Sequence, residues 1–315
     1  MNRILLVTLA AAAAFASQTV SAQSWPAKTV TIYVATAPGG PLDLMARMLG
    51  NHIDRKYKQT VVVDNRLGAG GVVAATVLVR APADGYSFAT GVNLTADVFV
   101  KDMPYKSSDI MPVALMGQSA YALIVSPNTK SKTLAEFLAF AKANPGRVQF
   151  GAVPSSSHET ETYEAMNALG IDGSVIGYKG ISPIYTALAG GNEVHAVLGS
   201  GSPLVKSGQI FAVAIGGEKR SADLPDTPTF KELGFSYNPV ANYAFFARVG
   251  TPKDAVDRFA AEAGEVARSP EFADRMTKSF NIYAMGLNPE ATAKVIGEED
   301  QRVRRAAQRA GIKPQ

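Results

Sequence analysis

Three histidines, His52, His158 and His195, are all the imidazole this 315-residue chain has, and it contains no cysteine. A metal site needs several His, Asp or Glu ligands at short spacing, such as His-x-x-x-His along one helix face. No such pattern occurs, so neither a metal nor metal-dependent catalysis is expected. Serine chemistry has one local candidate, Ser155-Ser156-Ser157-His158. An adjacent Ser and His seldom form the nucleophile–base hydrogen bond, and no Gly-x-Ser-x-Gly elbow is present. A helix start explains the run better, with serine oxygens accepting from free N–H groups ahead of Glu159.

Phosphate-binding loops are equally thin. Gly68-Ala-Gly70-Gly-Val-Val73 approaches the dinucleotide fingerprint but ends in valine where the third glycine belongs, and no Gly-x-x-x-x-Gly-Lys-Ser/Thr occurs. A tight loop into a helix is the better account, and no cofactor is expected. What remains is a set of loops made of Gly, Pro, Ser, Thr and Asn at 37–43, 91–95, 153–158, 178–182 and 199–203. Helix starts and glycine-exposed N–H groups favour negative charge, so these loops suit a small anion. With no catalytic set in view, binding is expected rather than turnover.

The elements around these loops alternate. Strands are expected at 30–35, 60–64 and 87–90, with helices at 43–57 and 71–80 between them. A second series follows: strands at 120–125, 148–152, 174–178, 196–199 and 211–215, and helices at 133–143, 159–169 and 181–189. Thr133 with Glu136 three residues on forms a capping box. Such alternation implies βαβ units and largely parallel sheets, in two α/β lobes. In a parallel sheet the loops above all lie at the carboxyl ends of the strands, where α/β proteins bind ligands. A strand at 242–248 and helices at 253–268, 270–279 and 289–310 complete the chain and are expected to cover the first lobe. The chain would then cross between lobes twice, with hinges near Ser126-Pro127 and 241–248.

Composition narrows the setting. Asn2-Arg3, an apolar run from Ile4 to Ala16 and Val20-Ser21-Ala22 read as a secretory signal peptide, residues 1–22, cut after Ala22. The apolar run is too short to span a bilayer, which takes roughly 20 residues. A periplasmic protein is expected, stable without disulfides because nearly 300 residues bury enough surface. Net charge is +4, with the signs interspersed. The basic cluster Arg302-Val-Arg304-Arg305 reads as a solvated helix face, and nucleic acid is not an expected partner.

Several ordered stretches carry a resemblance. Ser24-Trp25-Pro26 and Val34-Ala-Thr-Ala-Pro38-Gly39-Gly40-Pro-Leu-Asp43-Leu-Met-Ala46-Arg47 resemble the opening of the periplasmic receptors of tripartite tricarboxylate transporters, the TctC or Bug family. Val61-Val-Val-Asp64-Asn65-Arg66-Leu-Gly68-Ala69-Gly70-Gly71, Ala81-Pro82-Ala-Asp84-Gly85-Tyr86, Tyr178-Lys179-Gly180, Leu224 to Gly234 and Gly250-Thr251-Pro252 follow in the family's order. The resemblance implies a two-lobed periplasmic binding protein, a Venus-flytrap of type II-like architecture with its cleft between lobes. It further implies a monomer that passes a small di- or tricarboxylate to membrane permease subunits. The lobes would be 23–125 plus 245–315 and 126–244.

The resemblance also assigns the carboxylate mainly to main-chain donors of 37–43 and, opposite, 153–158. The expected ligand-binding residues are Ala37, Pro38, Gly39, Gly40, Asp43, Ser155, Ser156, Ser157 and His158, with Asn93, Thr95, Tyr178 and Ser200 placed by loop position. Asp43 is expected to cap the helix that follows it. Lys179 and Arg66 are candidate positive charges. Thr36 stands where the family commonly has an aromatic residue, and His195 with Gly199 where an acidic residue often lies. That difference suggests a roomier, less acidic cleft that favours plain or aromatic dicarboxylates over amino acids. A periplasmic hydrolase built on Ser157 and His158, and a ligand sensor for a membrane kinase, remain the rival readings.

Overall fold

The computed structural model describes residues 25–91, 94–154, 156–191, 193–199 and 203–314. The expected signal peptide, and Asn93, Ser155 and Ser200 of the expected site, lie outside them. The first half of the chain runs β1 (Val30–Val34), α1 (Pro41–Tyr57), β2 (Val61–Asn65), α2 (Val72–Arg80), β3 (Ser87–Thr90), β4 (Ile110–Ala120), β5 (Ala122–Val125) and α3 (Leu134–Ala143). It continues through β6 (Val148–Ala152), α4 (Ser157–Ala168), β7 (Gly173–Gly177), α5 (Ile181–Gly190), β8 (Ala196–Gly199), a helical turn α6 (Pro203–Lys206) and β9 (Phe211–Ile215). Then come β10 (Val240–Arg248), α7 (Lys253–Ala267), α8 (Pro270–Phe280), β11 (Ile282–Leu287) and α9 (Pro289–Arg309).

Two sheets result. The first has the order β11-β4-β10-β3-β1-β2 and the second β7-β6-β8-β5-β9. In the first, β1 pairs in parallel with β2 and β3; in the second, β6 pairs in parallel with β7 and β8. The remaining pairs are antiparallel, so the sheets are mixed rather than largely parallel. The difference comes from strands that serve the connection between sheets: β4 leads directly into β5, and β10 returns alongside β4.

The changeover sits at Tyr121, whose N–H donates to Pro239 O at 2.9 Å and whose carbonyl accepts from Gly216 N at 2.9 Å. The expected strand at 120–125 is therefore split, with Ala120 in one sheet and Ala122 in the other. All of β10 belongs to the first sheet, so the chain changes sheets at Tyr121 and Pro239, a few residues before each boundary expected from sequence.

Each sheet is covered on both faces. One face of the first packs Val30, Ile32, Met45, Leu49 and Phe88 against Phe259 and Phe272 of α7 and α8, with Phe88 and Phe259 stacked at 3.7 Å between ring centroids. Its other face packs Leu78, Leu115 and Phe246 against Ile296 of α9. Trp25 closes the first of these cores, and its indole N–H donates to Gly85 O at 2.7 Å. On one face of the second sheet Phe150 and Leu198 pack with Phe137 of α3, and on the other Val197 packs with Ile184 and Leu188 of α5. Burying one such side chain contributes about 1.5–3 kcal/mol. Thr133 and Glu136 do form the capping box of α3.

Candidate functional site

The stretch after β1 turns within five residues. Gly39 adopts φ +86°, a left-handed conformation that costs any side-chain-bearing residue, whereas Gly40 is extended at φ −78°. Pro41 begins α1, so Gly40 is its N-cap and Asp43 lies in the first turn instead of capping it. This corrects the expected role of Asp43. Proline needs no N–H at the first helical position, so the helix starts at Pro41 and its cap lies three places earlier than the acidic residue suggested.

Asp43 instead ties the turn together from behind. Its Oδ2 accepts from Gly39 N and from Arg47 Nε, each at 2.9 Å, and its Oδ1 accepts from Asn65 Nδ2 at 3.0 Å. Asn65 Nδ2 also donates to Thr36 O at 2.9 Å. The carboxylate is buried. Burial alone would raise the carboxyl, but the hydrogen bonds from Arg47, Gly39 and Asn65 outweigh it and hold Asp43 below its ordinary value.

In the second lobe Ser156 is the N-cap of α4, yet its hydroxyl donates to Val153 O at 2.6 Å and makes no cap bond. The expected capping by serine oxygen is therefore absent at Ser156, whose hydroxyl is turned toward the loop carbonyl instead. His158 is held at both nitrogens: Nδ1 accepts from Val153 N at 3.2 Å, which makes Nε2 the donor to Leu198 O at 2.8 Å. An accepting Nδ1 requires the neutral ring, and burial lowers the pKa in the same sense.

Between the lobes lies a cavity of about 380 Å³. Lobe 1 contributes Thr36, Leu42, Gly70, Gly71, Gly91, Leu94 and Thr95; β10 contributes Asn242 and Tyr243; α9 contributes Ile296, Glu299, Asp300 and Val303; lobe 2 contributes Ser156. Gly71 is the N-cap of α2 and, like Ser156, supplies no side-chain cap bond. Two helix starts, one from each lobe, thus meet at one cavity. Thr36 Oγ1 is buried there with no hydrogen-bond partner. On the far side of Tyr243 a further space of about 720 Å³ runs between Pro41, Asn281 and Lys206.

Thr95 and Ser156, of the expected residues, line the cavity, and Ser157 opens α4. Ala37, Pro38 and Gly39 are exposed on the turn, with Gly40 and Asp43 supporting it. His158 braces the lobe 2 loop from beneath. Tyr178 is partly buried against the lobe 2 core that holds Ile184 and Val197, and it does not line the cavity. Arg66 pairs with Asp64 in solvent.

The expectation of a less acidic cleft rests on His195 and Gly199, and neither lines the cavity. His195 precedes β8 at the end opposite Gly199, where its Nδ1 accepts from Gln149 N at 3.1 Å and its ring meets Phe140. Carboxylates come from α9 instead, with Glu299 accepting from Asn242 Nδ2 at 2.8 Å. The solvated reading of the basic cluster is also corrected: Arg302 pairs with Glu161, and Arg304 with Asp97 and Asp300. Gly70 and Gly71 were missed as site residues, although the rule that loops follow the carboxyl ends of parallel strands applies to β2 as it does to β1.

Two lobes, each with parallel strands sending glycine- and serine-rich loops toward a shared cavity, define a two-lobed α/β binding fold. The family model described as the tripartite tricarboxylate transporter family receptor, TctC, matches residues 45–312, and the chain belongs to that family. Protein BugT of Bordetella pertussis is 30% identical over 330 residues, covering 99% of each chain. Among solved structures, R. palustris Rpa4515 with adipate superposes with a TM-score of 0.75 at 26% identity, covering 93% of this chain and all of that one. MatC (Rpa3494) from Rhodopseudomonas palustris with bound malate gives 0.69 at 25% identity, with 90% and 100% covered. No helix among the described residues is long and apolar enough to cross a membrane.

Proposed function

We propose that this chain is a periplasmic receptor that closes on a small carboxylate and delivers it to the membrane subunits of a tripartite transporter, acting as a monomer. The observation that carries the reading is the meeting of two helix starts, at Gly71 and Ser156, on one cavity. The positive ends of two helix dipoles favour an anion there, while the carboxylates on the α9 wall are engaged, Glu299 by Asn242 and Asp300 by Arg304. A cavity of about 380 Å³ suits a small solute, and Leu42, Leu94, Ile296 and Val303 offer an apolar wall to its carbon skeleton. The similar R. palustris proteins are held with adipate and malate, which supports a carboxylate of that size.

Closure is proposed to turn one lobe on the other about Tyr121 and Pro239, driven by ligand contacts made from both sides. Binding without chemistry is favoured because His158, the only histidine beside the serine run, has both nitrogens engaged by the backbone. A neutral imidazole bonded at both atoms has no lone pair left with which to activate a hydroxyl.

A thermal-shift screen over aliphatic and aromatic mono-, di- and tricarboxylates and amino acids tests the proposal. Ligand at a hundred times Kd stabilises the native state by about 2.7 kcal/mol, an unmistakable rise in Tm. A screen in which no carboxylate raises Tm would remove the anion site from the account.

A further inference from the structure

The C-terminal helix touches both lobes. It is anchored on lobe 1 where Thr292 Oγ1 accepts the Leu115 N–H at 2.9 Å, and its Ile296, Glu299 and Val303 form one wall of the cavity. Beside that wall Arg302 reaches into lobe 2, placing Nη1 at 2.5 Å from Glu161 Oε2. The side chains are 22% and 6% exposed, so the pair lies largely out of water. Glu161 also accepts the Tyr237 hydroxyl at 2.9 Å, two residues before the Pro239 crossing. Tyr121, the other crossing, meets the ring of His158 on the same helix edge-on at 6.1 Å between centroids. One crossing and the last helix therefore meet at this ion pair, and the other crossing touches the helix that carries it.

Glu161 is carried by α4, one turn beyond the Ser156 end that faces the cavity. A buried pair resists separation because each partner left alone stays desolvated. Lobe 2 therefore cannot turn about the crossings without either keeping Arg302 in register or abandoning that pair.

We propose that Arg302 is a positioning residue: through Glu161 it fixes the angle at which α4 presents its half of the site to the wall formed by α9. The proposal rests on the receptor reading for the meaning of the cavity, while the pin itself rests on the geometry of the pair. Glu299, held by Asn242, keeps the wall in place, and Arg302 keeps the opposite lobe against it.

The chain has no cysteine, so Lys101→Cys with Lys142→Cys, at exposed positions on the two lobes, gives a single pair of spin-label sites. Double electron–electron resonance without any ligand should show a narrow inter-lobe distance distribution in this parent and a shifted, broadened one after Arg302→Met. Arg302→Lys, which keeps the charge, should recover part of the narrow distribution. A merely structural residue would lower Tm and leave the distance of the folded molecules alone. If Arg302→Met does not fold, Glu161→Gln removes the charge pair at nearly constant volume and carries the same expectation. Parental distances in either folded variant, or a parent as broad as the variants, would overturn the proposal. No ligand enters this measurement, so its failure is distinct from a carboxylate screen that finds nothing.

Discussion

Asp43 accepts the Gly39 N–H at 2.9 Å from the first turn of α1, so a buried carboxylate holds the turn that leads from β1 toward the cavity. Three donors converge on it, from Gly39, Arg47 and Asn65. Asp43→Asn replaces one accepting oxygen by a donating NH2 and should destabilise the protein by about 1–3 kcal/mol at neutral pH.

The same contacts set a pH dependence. Asp43 has a folded-state pKa below its ordinary 3.8, so the unfolded chain takes up the proton first as pH falls. The stability it contributes is therefore complete above the unfolded value and lost as pH drops through the folded one. Urea midpoints of parent and Asp43→Asn should differ at pH 7 and converge in strong acid; a gap that widens on acidification would contradict the assignment.

Two neighbouring glycines should behave differently. Gly39 at φ +86° places any side chain in the left-handed region, so Gly39→Ala should cost about 1–2 kcal/mol although nothing lies within 4 Å of the added carbon. Gly40 is extended, and a Cβ there would meet Ala37 O at an ordinary 3.6 Å, so Gly40→Ala should cost about 0.5 kcal/mol, as at other N-caps. Equilibrium denaturation ranks them, and the reverse order would show that the turn is not built as described.

His158 should titrate below the usual imidazole value, because burial lowers its pKa. The sign again follows from linkage: the folded state is the poorer proton binder, so the contribution of this residue is present above the unfolded pKa and fades as pH falls. Nitrogen-detected NMR of the imidazoles should find His158 neutral, with its proton on Nε2, at pH 6.5. A charged ring at that pH, or the proton on Nδ1, would undo the argument that the Val153 and Leu198 bonds occupy both nitrogens.

Much of this arrangement is legible in the sequence because it is local. The periodicity of residues 30–90 and 133–215 marks the parallel strands and their helices, and Thr133 with Glu136 announces the start of α3. The long strand β4 is not, since Pro112 and Gly117 interrupt its alternation and its partners in β10 lie over a hundred residues away. β11 is hidden similarly by Gly286 and by a break in its pairing with β4. Glu161, which pairs with Arg302, and Asp97, which pairs with Arg304, are equally remote, so a buried pair and a side-chain bridge both read as solvated charge. Gly70 and Gly71 differ: their loop does not match a nucleotide motif, and only the folded chain brings the helix start at Gly71 to the cavity wall.

In the proposed receptor, the cavity between Gly71 and Ser156 recognises a negative carboxylate through its helix starts. Isothermal titration of the carboxylate that stabilises the protein most, set beside its uncharged carboxamide, tests this most directly. The carboxylate should bind and the amide of the same skeleton should be weaker by at least about tenfold, or 1.4 kcal/mol. Equal affinities for the two, or tighter binding of the amide, would contradict the account.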